Sequence, residues 1–299
     1  MARVDDAETW IRRYVEPVGP IETTHVRPWS TVRRVPLADG VAWFKACAPV
    51  QGFEPRLSAH LYRRWPDRVA EVLAHDEDRA WLLLADAGDP VGTTGNPPEA
   101  WLAALPRYAE LQRGETGYAD EHVAHGVPAL PVAQLPDRFA DLVARDLPVD
   151  RAEHDRLAAF APGYARMCAE LAADRRLGPT VQHDDLHMTN LYGRARVLDW
   201  GDASVSHPFF SLVVTFRFLE ERTGLPLDDP WYARLRDAYL EPWGGDFRDT
   251  FELALRVGAV AHAIAWTRQR DFLPPAELPG FDEGFAHILR RALRVVPGH

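Results

Sequence analysis

The spacing of hydrophobic and polar positions changes near residue 90. Before it, short runs rich in β-branched and aromatic residues cover 21–26, 31–36 and 41–46, and the turn signal Ala38-Asp39-Gly40 separates the last two. Runs of that length bounded by turn residues predict an antiparallel meander. Over 53–65 the rhythm becomes helical, with Leu57, Leu61, Tyr62 and Trp65 on one face and Pro66 closing it. Two more strands are expected at 69–74 and 80–84. A turn-rich stretch over 86–98 then leads into helical periodicity at 101–113, 134–145, 151–173, 209–223, 230–240, 250–268 and 283–295. One non-helical island, 178–204, interrupts the helices and concentrates the polar motif residues. No internal repeat or heptad seam is visible. The pattern predicts an α+β chain in two lobes: a sheet with one helix over 1–88, and a larger, mainly helical part over 89–299.

Composition narrows the possible roles. The 299 residues suffice for a full core, and 46% hydrophobic with 26% charged is ordinary for a folded chain. The start lacks an apolar leader core and no apolar stretch reaches the roughly 18 residues of a membrane span, so a cytoplasmic location is expected. A formal net charge of −10 argues against a nucleic-acid or anionic-membrane partner, both of which need clustered cations. A neutral or cationic small ligand is compatible, and so is a charge that serves solubility alone. Cys47 and Cys168 stand far apart and are expected to be small buried hydrophobes.

One count changes the picture. Of the 34 Lys and Arg residues a single one, Lys45, is lysine. Arginine replaces lysine freely on a solvated surface but not where a compact ammonium on a flexible stem is required. Asparagine is nearly as rare, at Asn96 and Asn190. Asn190 falls within the island, which reads His183-Asp184-Asp185-Leu186-His187-Met188-Thr189-Asn190, then Arg196-Val197-Leu198, then Asp199-Trp200-Gly201. His183, Asp185 and Asn190 reproduce the His-x-Asp-x-x-x-x-Asn spacing of a phosphoryl-transfer loop, and Asp199 follows a short strand as a magnesium-binding aspartate would. A phosphoryl group in flight spreads negative charge over its oxygens, which calls for cations held by hard oxygen ligands. The acceptor hydroxyl has to be aimed in line and lose its proton to a base. A second reading of the same residues is a metal cluster of His183, Asp184 and His187, as in a phosphohydrolase.

The island resembles the Brenner-type motif of the aminoglycoside phosphotransferases and their choline, homoserine and macrolide kinase relatives. The usual form there is His-Gly-Asp-Leu-His-x-x-Asn followed by Asp-Trp or Asp-Phe, and His183, Asp185, Leu186, His187, Asn190, Asp199 and Trp200 match it position for position. The resemblance implies a bilobal protein-kinase-like fold and transfer of the γ-phosphate of ATP or GTP to a hydroxyl of a small substrate, such as an aminoglycoside or amino sugar. It also implies roles. Asp185 is the catalytic base or hydroxyl-orienting residue, His183 braces the catalytic loop, and Asn190 and Asp199 bind Mg2+. Lys45 holds the α- and β-phosphates, paired with Glu54, the sole carboxylate of the 53–65 helix. Backbone groups of Ala85 and Ala87 in the lobe connection bind the base.

Two departures stand out. No glycine-rich loop joins the first two strands, so phosphate cover falls to Ser30, Thr31 or backbone amides of 27–31. Asp184 occupies the usual glycine position, and its carboxylate is expected to face solvent. Both departures also fit a nucleotide-binding pseudokinase. For the acceptor, the acidic pairs Glu220-Glu221 and Asp228-Asp229 and the indoles of Trp231, Trp243 and Trp266 are candidates.

Overall fold

The computed structural model describes residues 4–95, 97–193 and 195–296; Asn96 and the chain start at residues 1–3 lie outside them. Five strands, β1 Glu22–Arg27, β2 Ser30–Leu37, β3 Gly40–Cys47, β4 Val72–Asp76 and β5 Trp81–Ala85, form one antiparallel sheet in the order β1-β2-β3-β5-β4. Leu37 pairs with Gly40 across a two-residue turn, and Gly40 takes φ 140°, a conformation that only glycine adopts at ease.

Alternation along β3 divides its side chains between two faces. Ala42 and Phe44 join a small core with Val35, Trp81 and Leu83. Helix α1, Val4–Ile11, covers this face with Ala7, Trp10 and Ile11, and the Trp10 ring meets Phe44 and Trp81 edge-on. The lobe therefore has a helix beyond the one expected. Eight residues at the chain's start give two turns, too few for a periodic signal. The other face of β3 carries Lys45 towards helix α2, Glu54–Arg64.

Beyond the sheet, helices α3 Pro98–Glu115, α4 Ala119–Ala124, α5 Leu135–Val143, α6 Arg151–Ala173, α7 Ser211–Thr223, α8 Pro230–Leu240, α9 Arg248–Phe272 and α10 Leu278–Leu293 enclose the main core. Seven match the expected helices; the six-residue α4 does not appear in the periodicity. Leu57 and Leu61 of α2 belong to this larger core, so α2 packs on the helical part as well as on the sheet. Among the described residues no helix is long and apolar enough to cross a membrane.

The island folds around two short antiparallel ladders. β6 Thr180–Gln182 pairs with β9 Ser204–Ser206, and β7 Leu191–Tyr192 pairs with β8 Arg196–Val197. Only the last of these strands was legible, because two or three residues carry no period. The ladders hold the ends of the 183–190 loop and the start of the Asp199 turn against each other.

Candidate active site

His183 follows β6 and is fully buried. Its Nε2 lies 2.7 Å from the Leu198 carbonyl, which can only accept, so Nε2 carries the hydrogen and Nδ1 is free to accept the Asp185 N–H at 3.3 Å. Burial lowers its pKa, which keeps the ring neutral in that tautomer. The imidazole packs 4.8 Å from the Trp200 ring. His183 thus stands behind the crevice and links the backbone at Asp185 to the residue before Asp199.

The Asp185 carboxylate is one-third exposed. Its Oδ2 accepts from Asn190 Nδ2 at 3.1 Å and from His187 Nε2 at 3.2 Å, and Asn190 Nδ2 also donates to the Asp185 carbonyl at 2.9 Å. His187 is held in that tautomer because its Nδ1 accepts from the Thr189 N–H. Among the described residues, Asp185 Oδ1 has no donor and remains open. With both hydrogens of the Asn190 amide engaged, its Oδ1 is the atom it can present to a cation. Leu198 N–H donates to the Asn190 carbonyl at 3.0 Å, which keeps Asn190 beside Asp199. An amide oxygen next to a carboxylate is a donor set that suits Mg2+. Asp199 itself takes φ 64°, a left-handed conformation uncommon outside glycine, and about half of its side chain is open.

Lys45 closes the arrangement from the sheet. Its Nζ is 2.6 Å from Glu54 Oε2 and 2.6 Å from Asp199 Oδ1. Burial acts to lower the Lys45 pKa, but Asp199 and Glu54 outweigh it and hold the ammonium well above its usual value. Burial raises the Glu54 pKa despite Lys45, whereas Asp199 stays below the ordinary carboxylate range because Lys45 offsets its burial. Cys47, expected to be a buried hydrophobe, is only partly buried and donates its thiol to Glu54 Oε2 at 3.4 Å. Cys168 is buried.

Ser30 and Thr31 open β2, opposite Cys47 and Ala46 of β3 and next in register to Val32, the partner of Lys45. Trp29, in the tight turn before them, lines a cavity of about 160 Å3 together with Asp185 and meets the Phe281 ring edge-on. In the lobe connection the Ala85 N–H is taken by the Glu71 carbonyl at 3.0 Å, so Ala85 can offer only its carbonyl to a ligand. Among the described residues the Ala87 N–H has no protein acceptor.

Asp184 does not face solvent. It is buried, takes φ 59°, and accepts from Ser204 Oγ at 2.7 Å. The positive φ explains the preference for glycine at this place in the resembling motif, since Asp tolerates that conformation better than most side chains. Burial pushes its pKa up to about 7. Nearby Asp202, also raised by burial, accepts from Gln51 and Gln269. Gly201 leaves the room: a Cβ there would meet the Gln51 side chain at 2.5 Å. Trp29, Gln51, Asp202, His262, Arg268 and Gln269 thus surround the site although the sequence singled out none of them.

His183, Asp184 and His187 do not converge on one point; their polar atoms are used by Leu198, Ser204, and Asp185 with Thr189. Among the described residues the close His/acid cluster lies elsewhere, at His60, Glu115 and His122. Of the acceptor candidates, Glu220 is paired with Arg291 and Arg294, Glu221 with His287, and Asp229 caps α8 through the Trp231 N–H. Trp231 is buried, Trp243 packs on Phe209, and Trp266 alone lines the cavity with Asp185.

No protein-family model and no curated protein matches the sequence. Solved structures do match, over almost the whole chain. The GDP complex of aminoglycoside 2'-phosphotransferase-IIIa superposes with a TM-score of 0.67 at 15% identity, over 98% of this chain and 99% of that one. A choline/ethanolamine kinase family protein from Mesorhizobium loti gives 0.62 at 16%, over 97% and 98%. Aminoglycoside phosphotransferase APH(3'')-Id from Streptomyces rimosus, solved with ADP and streptomycin, gives 0.51 at 19%, over 87% and 99%. The chain therefore has the bilobal, protein-kinase-like fold that these aminoglycoside and choline/ethanolamine kinases share.

Proposed function

We propose that this protein is a Mg2+-dependent small-molecule kinase, transferring the γ-phosphoryl group of ATP or GTP to an alcohol, with residues 1–88 as the nucleotide lobe and 89–299 as the lobe that binds the acceptor. The observation that carries the reading is the meeting of Lys45 with Asp199 at 2.6 Å, on the loop system that also holds Asp185 and Asn190. In this reading Lys45, steered by Glu54, grips the α- and β-phosphates. Ala85 and Ala87 take the base through backbone groups, and Ser30, Thr31 and their amides cover the phosphates. Asn190 Oδ1 and Asp199 would hold the metal, which supplies charge neutralisation between donor and acceptor oxygens.

Asp185 Oδ1, the open oxygen, receives the acceptor hydroxyl. The acceptor O–P bond forms as the β–γ bridging O–P bond breaks, the nucleoside diphosphate leaves, and Asp185 takes the hydroxyl proton. His183 is a positioning residue that fixes the Asp185 backbone. An enzyme consuming nucleoside triphosphate fits a cytoplasmic setting, where its donor is made. Aminoglycosides and amino sugars are one branch of the alcohols this chemistry serves.

The test is triphosphate consumption by the purified protein with Mg2+ across a panel of hydroxylated amines, sugars and macrolides, for wild type and Asp185→Asn. Transfer should fall at least about 100-fold in the variant while nucleotide binding persists. Wild-type turnover by Asp185→Asn removes the assigned base. Tight nucleotide binding without consumption of any acceptor replaces the kinase with a pseudokinase.

A further inference from the structure

A cavity of about 560 Å3 opens between α7, α8, α9 and α10. Its wall is rich in arginine: Arg217 on α7, Arg236 on α8, Arg256 on α9, and Arg291 and Arg294 at the end of α10. Most of the carboxylates around it are already committed. Glu252 pairs with Arg236, Asp229 caps α8, and Glu220, just outside, pairs with Arg291 and Arg294; Asp228 is exposed at the mouth. Among the described residues, Arg256 reaches only the Met167 sulfur, at 3.7 Å.

Among the described residues, two buried donor atoms of residues in this wall, Arg217 Nε and His262 Nδ1, have no hydrogen-bond partner. Arg217 is 9% exposed, its Nε is buried without a partner, and among the described residues no carboxylate lies within ion-pairing distance of its guanidinium. The Phe218 ring lies 4.5 Å from the guanidinium carbon to the centroid. His262 is 7% exposed. The Trp266 indole N–H, which can only donate, points at His262 Nε2 at 3.2 Å, so Nε2 holds the lone pair and Nδ1 carries the hydrogen. That Nδ1–H is buried and unpartnered. Burial and the neighbouring Arg217 push the His262 pKa down to about 3, which keeps the ring neutral and the tautomer fixed. Arg217 Nε and His262 Nδ1 are thus unpartnered donors on residues that line one cavity, where a ligand could complete them. His262 also lines the smaller cavity containing Asp185 and Trp29, so it forms a wall common to both spaces.

We infer that the acceptor carries an anionic group, a carboxylate or a phosphate, seated on Arg217 and the His262 Nδ1–H, while its hydroxyl lies in the adjoining space beside Asp185. The position of the hydroxyl rests on the kinase reading above; the anion seat does not. A guanidinium and a neutral N–H donor form charge-assisted hydrogen bonds with an oxyanion, and both would be left worse off by an ammonium. The acidic pairs that suggested a cationic acceptor offer it little, because Glu220, Glu221 and Asp229 are engaged elsewhere.

Four probes on one sugar ring decide the matter: glucuronate, glucose 6-phosphate, glucose and glucosamine, with inorganic phosphate as the bare anion. Binding is followed by titration calorimetry of the full chain, with the nucleotide site filled by Mg2+ and a non-hydrolysable triphosphate, and turnover by triphosphate consumption. The expected result is saturable binding of phosphate or of the anionic sugars, weakened at least about 30-fold by Arg217→Gln and less by Arg217→Lys. For a consumed anionic sugar, KM should rise by a similar factor with kcat within about 3-fold. Preference for glucuronate or for glucose 6-phosphate tells carboxylate from phosphate. Should Arg217→Gln not fold, absence of saturable anion binding to wild type still overturns the inference, as does anion binding unchanged in Arg217→Lys. Turnover of glucose or glucosamine with no anion binding sinks the anion seat and leaves the kinase. Anion binding that depends on Arg217, in a protein that neither binds nor consumes a nucleoside triphosphate, does the reverse.

Discussion

The Lys45 ammonium and the Asp199 carboxylate, 154 residues apart, meet at 2.6 Å across the crevice, and Glu54 holds the same nitrogen at the same distance. One cation thus serves two carboxylates of unequal circumstance. Glu54 is enclosed and has Lys45 and the Cys47 thiol as its partners; Asp199 opens to the crevice. In the proposed reading Asp199 would serve the metal while Glu54 keeps the ammonium in place. This makes Lys45 a residue on which stability and chemistry both depend.

Replacing Lys45 by Met should therefore strand Glu54 as a buried, uncompensated carboxylate, at a cost of roughly 3–5 kcal/mol. Adding Glu54→Gln should recover most of that loss and none of the activity, since the proposed phosphate grip is gone in both. Urea unfolding of the single and double variants, with turnover measured alongside, separates the two roles. A double variant as unstable as Lys45→Met would mean that the pair is not what Glu54 needs.

The two proposed metal ligands can be told apart in the same way. Asn190→Ala removes one neutral oxygen and leaves the Asp199 charge, so the Mg2+ concentration for half-maximal turnover should rise about 10-fold or more, with part of the activity recovered at high Mg2+. Asp199→Asn removes the charge that answers the metal, and no Mg2+ concentration should restore it. A Mg2+ titration superimposable on wild type for Asn190→Ala would take that residue out of the site.

The sequence made legible those parts of the site whose geometry is local. Asp185 and Asn190 share one loop, so their spacing in the chain is also their spacing in space. The rarity of lysine singled out Lys45 before any fold was known. Glu54 needed the resemblance, which says that the helix after β3 supplies a partner. What stayed hidden depends on packing between distant segments. Trp29 lines a cavity with Asp185 through the turn before β2, which meets Phe281 of α10, and Arg217 and His262 come together only where α7 and α9 line one cavity. Asp184 departs from the expected solvent-facing position for the same reason: its neighbour Ser204 comes from β9, 20 residues on.

That buried carboxyl has a pH signature. Unfolded, Asp184 loses its proton near its ordinary value of 3.8; folded, it retains it to about 7. Between those values the unfolded state sheds a proton that the native state keeps, so this group makes stability fall as pH rises, by up to about 1.4 kcal/mol per pH unit. Asp202, raised to about 6 beside it, acts in the same direction, and Arg268 opposes both. Asp184→Asn tolerates the positive φ and still accepts from Ser204, so it should flatten the decline between about pH 4 and pH 7 and raise stability most at pH 7. Denaturation midpoints across that range, identical in slope for both proteins, would show the carboxyl to be ionised in the native state.

A buried carboxylate holds α2, and with it Glu54, against the helical lobe. Glu115 of α3 is fully buried, and both of its oxygens are used twice. Oε1 accepts from Arg64 Nε at 2.6 Å and Trp65 Nε1 at 2.7 Å; Oε2 accepts from His60 Nε2 and His122 Nε2, each at 2.9 Å. Burial acts against ionisation, yet these hydrogen bonds, led by His122 and His60, hold the carboxyl below its ordinary range. Three of the four donors, at His60, Arg64 and Trp65, belong to α2 or the residue after it. Glu115→Gln turns one acceptor oxygen into an amino group facing two donors, which should cost about 3–5 kcal/mol and loosen α2. Hydrogen exchange should then quicken along α2 and kcat should drop, although Glu115 touches neither nucleotide nor acceptor. If protons rather than a metal bind this cluster, EDTA will leave the wild-type Tm unchanged; a Tm that falls on chelation and returns with Zn2+ would make His60, Glu115 and His122 metal ligands instead.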